Sequence, residues 1–119
     1  MTDYVRVLRN EFEAGENSFL IQLRPNMIWD RDAFSRLVSA MEDCCRESAD
    51  LPTMERWMAQ GFWYVPNFIR VWTTHPEFPR PHPADYYERA YRRLDDLAHW
   101  FFFGHSGDGW CPVGPAQVD

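Results

Sequence analysis

Lysine is missing from this chain: all twelve basic residues are arginine. A compositional bias toward arginine accounts for that most simply, so the functional question is where the arginines lie. Arg92 and Arg93 form the one adjacent basic pair, and Asp95 and Asp96 lie beside it, after Leu94. Duplex-binding proteins draw affinity from positive charge clustered toward phosphates. With a formal net charge of -6 and no such cluster, nucleic-acid binding is not expected. An acidic chain can be drawn to a basic protein partner, although this charge is too mild to require one.

Long apolar runs are missing too. None approaches the roughly 18 uninterrupted apolar residues of a membrane-spanning helix, so no membrane association is expected. The opening MTDYVRVLRNEFEAG has no apolar segment behind a basic flank, which leads to the expectation of a soluble, cytoplasmic protein. Cysteine is scarce: three residues, two of them adjacent (Cys44 and Cys45), give an odd count with no disulfide-framework spacing. That suits a reducing compartment, with the pair acting as small buried side chains on a helix.

The usual signatures of cofactor and metal chemistry are absent as well. There is no HExxH, CxxC, phosphate-binding loop or glycine-rich dinucleotide fingerprint, and no cofactor is expected. GHSGDG at 104–109 differs from a nucleophile elbow at Asp108, and it follows a helix where an elbow needs a strand. The carboxylate pairs Glu11/Glu13, Asp30/Asp32 and Glu42/Asp43 read as ordinary helix-start or surface charges. Asp95 and His99 stand four apart on one helix and offer the single carboxylate–imidazole pairing worth testing as an orienter and general base. A small enzyme or ligand binder using that pair in a pocket between aromatic helices is therefore one alternative function.

What the chain has in quantity is aromatic surface, 17% of residues including six tryptophans, which concentrates burial in large flat side chains. Its periodicity is helical throughout. Residues 2–14 form a first amphipathic segment ended by Gly15. Residues 18–24 read as a short helix capped by Ser18 or as a lone strand, with helix favoured because no second strand is available to pair. Asp30 caps a clear helix over 31–48, with Phe34, Leu37, Val38, Met41 and one of Cys44 or Cys45 on one stripe. A further helix restarts near Asp50 with Pro52 in its first turn, carries Met54, Trp57 and Met58 inward and stops at Gly61. Pro66 then begins or kinks another helix that ends before His75. The last helix runs from about Pro83 to Phe103, with Tyr87, Ala90, Tyr91, Leu94, Leu97, Ala98 and Phe101 on one face. Gly104 stops it, ahead of an irregular tail over 105–119. These elements predict one all-α domain of four to six helices.

Between the last two helices, prolines at 76, 79, 81 and 83 push His75, Phe78, Arg80 and His82 toward extended backbone. A polyproline rise of about 3.1 Å per residue would separate His75 from His82 by roughly 22 Å, too far for both to reach one ion through bonds of about 2 Å. Metal binding by His75, Glu77 and His82 is therefore not expected. The segment reads as a stiff connector anchored by Phe78. Two aromatic runs, FWYV at 62–65 and HWFFFG at 99–104, exceed what one helix face can bury. Either the tail, with Trp110, Pro112 and Val113, or another chain should cover the surplus. These features favour a non-catalytic protein-interaction module, with Trp63, Tyr64, Arg70, Trp72, His75, Arg80 and His82 as its partner-binding residues. A small acidic inhibitor of the immunity-protein type fits that general character. A structural homodimer is the further alternative, the partner then being a second copy of the chain.

Overall fold

The computed structural model describes residues 3–104 and contains five helices: α1 (Tyr4–Phe12), α2 (Phe19–Asn26), α3 (Arg31–Ser48), α4 (Arg56–Thr73) and α5 (Ala84–Phe103). No strand occurs among the described residues, so the all-α expectation holds and residues 18–24 are helical. Ser18 caps α2 as expected, its Oγ accepting from the Ile21 N–H at 3.2 Å. A second acceptor comes from outside the segment: Glu11 of α1 takes the Phe19 N–H on Oε1 at 2.9 Å. Two donors that a helix start leaves open are thereby met. Asp30 caps α3 as its position implied, accepting from Asp32 N at 3.0 Å and Ala33 N at 3.1 Å.

The middle of the chain departs from expectation. Residues 50–55 are not helical and Met54 is exposed; α4 begins at Arg56 and runs unbroken through both Gly61 and Pro66. Gly61 does not stop a helix. It is the place where α1 crosses α4, because a Cβ there would overlap the Phe12 ring. Pro66 withholds one N–H from the ladder, but Phe62, Val65, Pro66 and Ile69 are all buried on either side of it. Tertiary burial on both flanks outweighs two local breakers. The connector also differs in its first half, where Phe78 N donates to His75 O at 2.9 Å and closes a turn instead of an extended run. Phe78 is buried, as an anchor should be.

Contacts give the topology. On α3 and α5, Glu42 pairs with Arg93 and Cys45 lies against Leu97, so the positions rise together and the helices run parallel. Between α4 and α5, Phe62 stacks on Phe101 and Arg70 bonds Asp95, so these two run antiparallel. α1 packs chiefly on α3 and touches α4, closing a four-helix arrangement that α2 caps. All five helices contribute to one core. Trp29, in the α2–α3 link, sits at one end of it with its ring edge-on to Phe19 and Tyr87, and its indole N–H donates to the Tyr86 hydroxyl at 3.0 Å.

Candidate functional site

The outer face of α4 leaves several large apolar side chains together in solvent. Its inner side carries Met58, Gly61, Phe62, Val65, Pro66, Ile69 and Thr73, all buried. At about 100° per residue, the opposite arc presents Trp63, Tyr64, Asn67 and Val71. Trp63 is 65% exposed, Val71 70% and Tyr64 46%. A stacked row runs along the edge of this face, with Tyr64 on Phe68 at 5.6 Å between centroids and Phe68 on Trp72 at 5.4 Å. Arg24 of α2 covers Phe68 at 5.5 Å. Beside Trp63 and Tyr64 the surface dips into a groove of about 450 Å³, walled by Phe12, Trp57 and Gln60.

The seven residues singled out from the sequence fall into separate settings. Trp63 and Tyr64 lie together on the exposed face. Trp72 is half-buried at its edge, and its indole N–H donates to Leu23 O at 3.0 Å, tying α4 to α2. Arg70 turns toward α5, where it bonds Asp95 at 2.8 Å and lies over the Tyr91 ring. His75 is exposed, with Nδ1 accepting from Glu77 N at 3.1 Å. Arg80 lies 4.3 Å over the Tyr87 ring. His82 packs against Tyr86 and Tyr87, and its Nε2 is 3.3 Å from Trp29 O. Val71 was missed in the sequence, although it follows Trp63 by eight residues on the same arc, because the break assigned at Pro66 hid the register.

The other candidate chemistries have definite structural settings too. Asp95 gives its carboxylate to Arg70, while the His99 ring stacks on Phe103 at 4.4 Å. Burial pushes the Cys44 thiol up to about 11 and raises that of Cys45 as well, so both are protonated at neutral pH. Both lie in the core, as expected of structural cysteines. Among the described residues, no group of three or more histidine, cysteine, aspartate or glutamate side chains converges to hold a metal ion. No described helix is long and apolar enough to cross a membrane. Glu11 corrects the surface-charge expectation: it is 3% exposed, and desolvation raises its pKa against the opposing pull of the Phe19 N–H and Arg36. Phe102 and Phe103 are exposed at the end of α5; the tail expected to cover them lies outside the described residues.

Neither protein-family models, nor curated proteins, nor solved structures match this chain. A functional reading therefore rests on its own surface.

Proposed function

We propose that the protein is a non-catalytic interaction module that binds a protein partner stoichiometrically through the outer face of α4. The exposure of Trp63, Tyr64 and Val71 on one helix arc carries this reading. An aromatic anchor contributes to binding when a partner desolvates it, and tryptophan and tyrosine are the residue types most enriched at such centres. Each Å² of apolar surface covered contributes about 25 cal/mol, and the adjacent groove gives a partner side chain somewhere to enter. A small inhibitor or immunity-type protein is the functional class this suits, since such a protein acts by covering its target.

The test is capture of partners from a lysate of the source at physiological salt, with wild type and a Trp63→Ser/Val71→Ser variant side by side. Trp72 is left intact because it holds α2. The expected result is one stoichiometric partner bound by wild type and lost, by tenfold or more in affinity, from a variant with unchanged helicity. Equal binding by the variant would place the surface elsewhere. A wild-type mass that doubles with concentration, and stays monomeric in the variant, would assign the face to a second copy of the chain.

A further inference from the structure

Trp57, Tyr64, Phe68 and Trp72 form an aromatic stripe along α4 at helical spacing, with Gly61 as the gap that admits Phe12 of α1. Arginines of neighbouring helices cover parts of it. Arg9 of α1 lies 4.3 Å over the Trp57 ring, and Arg24 of α2 lies 5.5 Å over Phe68. Between these two, no described arginine lies over Trp63 or Tyr64, which stay 65% and 46% exposed. The groove of about 450 Å³ opens at this uncovered stretch, and of the residues lining it Glu13 is the one that is charged. Among the described residues the Glu13 carboxylate accepts no hydrogen bond. Arg9 Nη1 stands 3.7 Å from it, beyond hydrogen-bond reach, with 49% and 64% of the two side chains in solvent. Such a pair holds its members weakly, so the carboxylate is open to a closer donor. Glu55 adds a second carboxylate beside the same wall: its Oε1 accepts the Trp57 indole N–H at 2.9 Å, and no described cation forms an ion pair with it.

We propose that this groove takes an arginine side chain from a basic segment of the partner. This assignment rests on the outer face of α4 being the partner surface. Aromatic ring faces carry the negative part of the ring quadrupole and attract a cation. A guanidinium suits the place better than an ammonium, because its plane stacks on a ring while its N–H fork meets a carboxylate. Arg9 already combines the two at the edge of the groove, lying on Trp57 with one nitrogen toward Glu13. An arginine from outside repeats that arrangement on Trp63 or Tyr64 and gives Glu13 a hydrogen-bonded partner. A purely apolar anchor would instead desolvate the Glu13 carboxylate without pairing it, which is costly, and an acidic one would meet like charge. The net charge of -6 also draws a basic segment toward the surface.

Titration of the isotope-labelled full chain with the N-acetyl amides of arginine, lysine, citrulline and leucine tests this, read from the indole N–H resonances of Trp57 and Trp63. Citrulline keeps the shape of arginine without its charge. The arginine amide should shift both resonances saturably, and less strongly as salt rises. The lysine amide should bind about threefold more weakly, and the two neutral amides about tenfold more weakly. Glu13→Gln, at an exposed position, should lower the affinity for the arginine amide about threefold at unchanged helicity. Val71→Ser, outside the groove, should leave it unaltered. The proposal is overturned if the arginine amide gives no saturable shift, if any of the other amides binds as tightly, or if Glu13→Gln binds it like wild type. The comparison among amides needs no variant and decides the matter even if Glu13→Gln disturbs the fold. Failure of the arginine amide, with partner capture still lost in Trp63→Ser/Val71→Ser, removes the arginine site and leaves the α4 surface standing. Partner capture that survives in that variant removes both.

Discussion

Glu11 is a carboxylate on the inward stripe of α1, three residues after Leu8 and seven after Tyr4, where an apolar side chain would be usual. It is accommodated there because α2 begins against it: its Oε1 replaces water for the Phe19 N–H, and Arg36 of α3 lies close enough to favour its charge. Desolvation still dominates and raises its pKa above the ordinary 4.5. The folded state therefore holds this proton more tightly than the unfolded chain does. Its contribution to stability is full below the unfolded pKa and is lost as pH rises through the folded value. Glu11→Gln keeps the acceptor and removes the charge. Relative to wild type, denaturant melts across mildly acid to neutral pH should show the variant gaining stability as pH rises. Glu11→Ala should instead destabilise at every pH, by about 1–3 kcal/mol, because the Phe19 N–H is left buried and unmet. Parallel pH profiles for wild type and Glu11→Gln would show that burial does not shift this carboxyl. A glutamate one position before Phe12 reads as a surface charge in the sequence, and only the approach of α2 makes it a cap.

At the scale of the element, α4 shows how local rules lose to packing. Glycine and proline both lower helix propensity, and reading each as a stop divides residues 56–73 into two pieces. The helix persists because its buried positions continue in phase across both, and because the glycine admits the Phe12 ring of α1. Gly61→Ala is accordingly expected to destabilise, although alanine is the better helix former by about 1 kcal/mol. Overpacking at such a crossing costs about 1–3 kcal/mol, and the melting temperature should fall. A rise in melting temperature would mean that Phe12 moves aside freely. By contrast, α3 and α5 were legible almost residue by residue. Their stripes carry no breaker, so 3.6-residue periodicity alone locates Phe34, Leu37 and Met41, and Tyr87, Leu94 and Leu97, all of them buried.

Across the whole molecule, Cys44 and Cys45 mark where three helices meet. Cys44 Sγ lies 3.7 Å from Met58 Sδ of α4, and Cys45 Sγ lies 3.4 Å from Leu97 O of α5. Reaching either thiol requires α3 to separate from its neighbours. In a Cys111→Ser background, labelling by a thiol-specific dye at neutral pH should proceed at the global unfolding rate and carry the same denaturant dependence. Labelling much faster than unfolding would reveal a local opening of this junction. The adjacency of the two cysteines in sequence suggested one on the stripe and one off it; both are buried because α4 and α5 cover neighbouring arcs of α3.

The amino-acid sequence by itself determined the all-helical class, the caps at Ser18 and Asp30, the helices α3 and α5, the stop at Gly104 and the anchoring role of Phe78. Each depends on spacing or on a side chain acting within a few residues, and such information is local. Tertiary structure alone decided that α4 is continuous, that Glu11 caps α2, and that Trp72 serves α2 while Trp63 and Val71 stay in solvent. Each of these depends on which helix faces which, set by the sum of many small burial terms over the whole core.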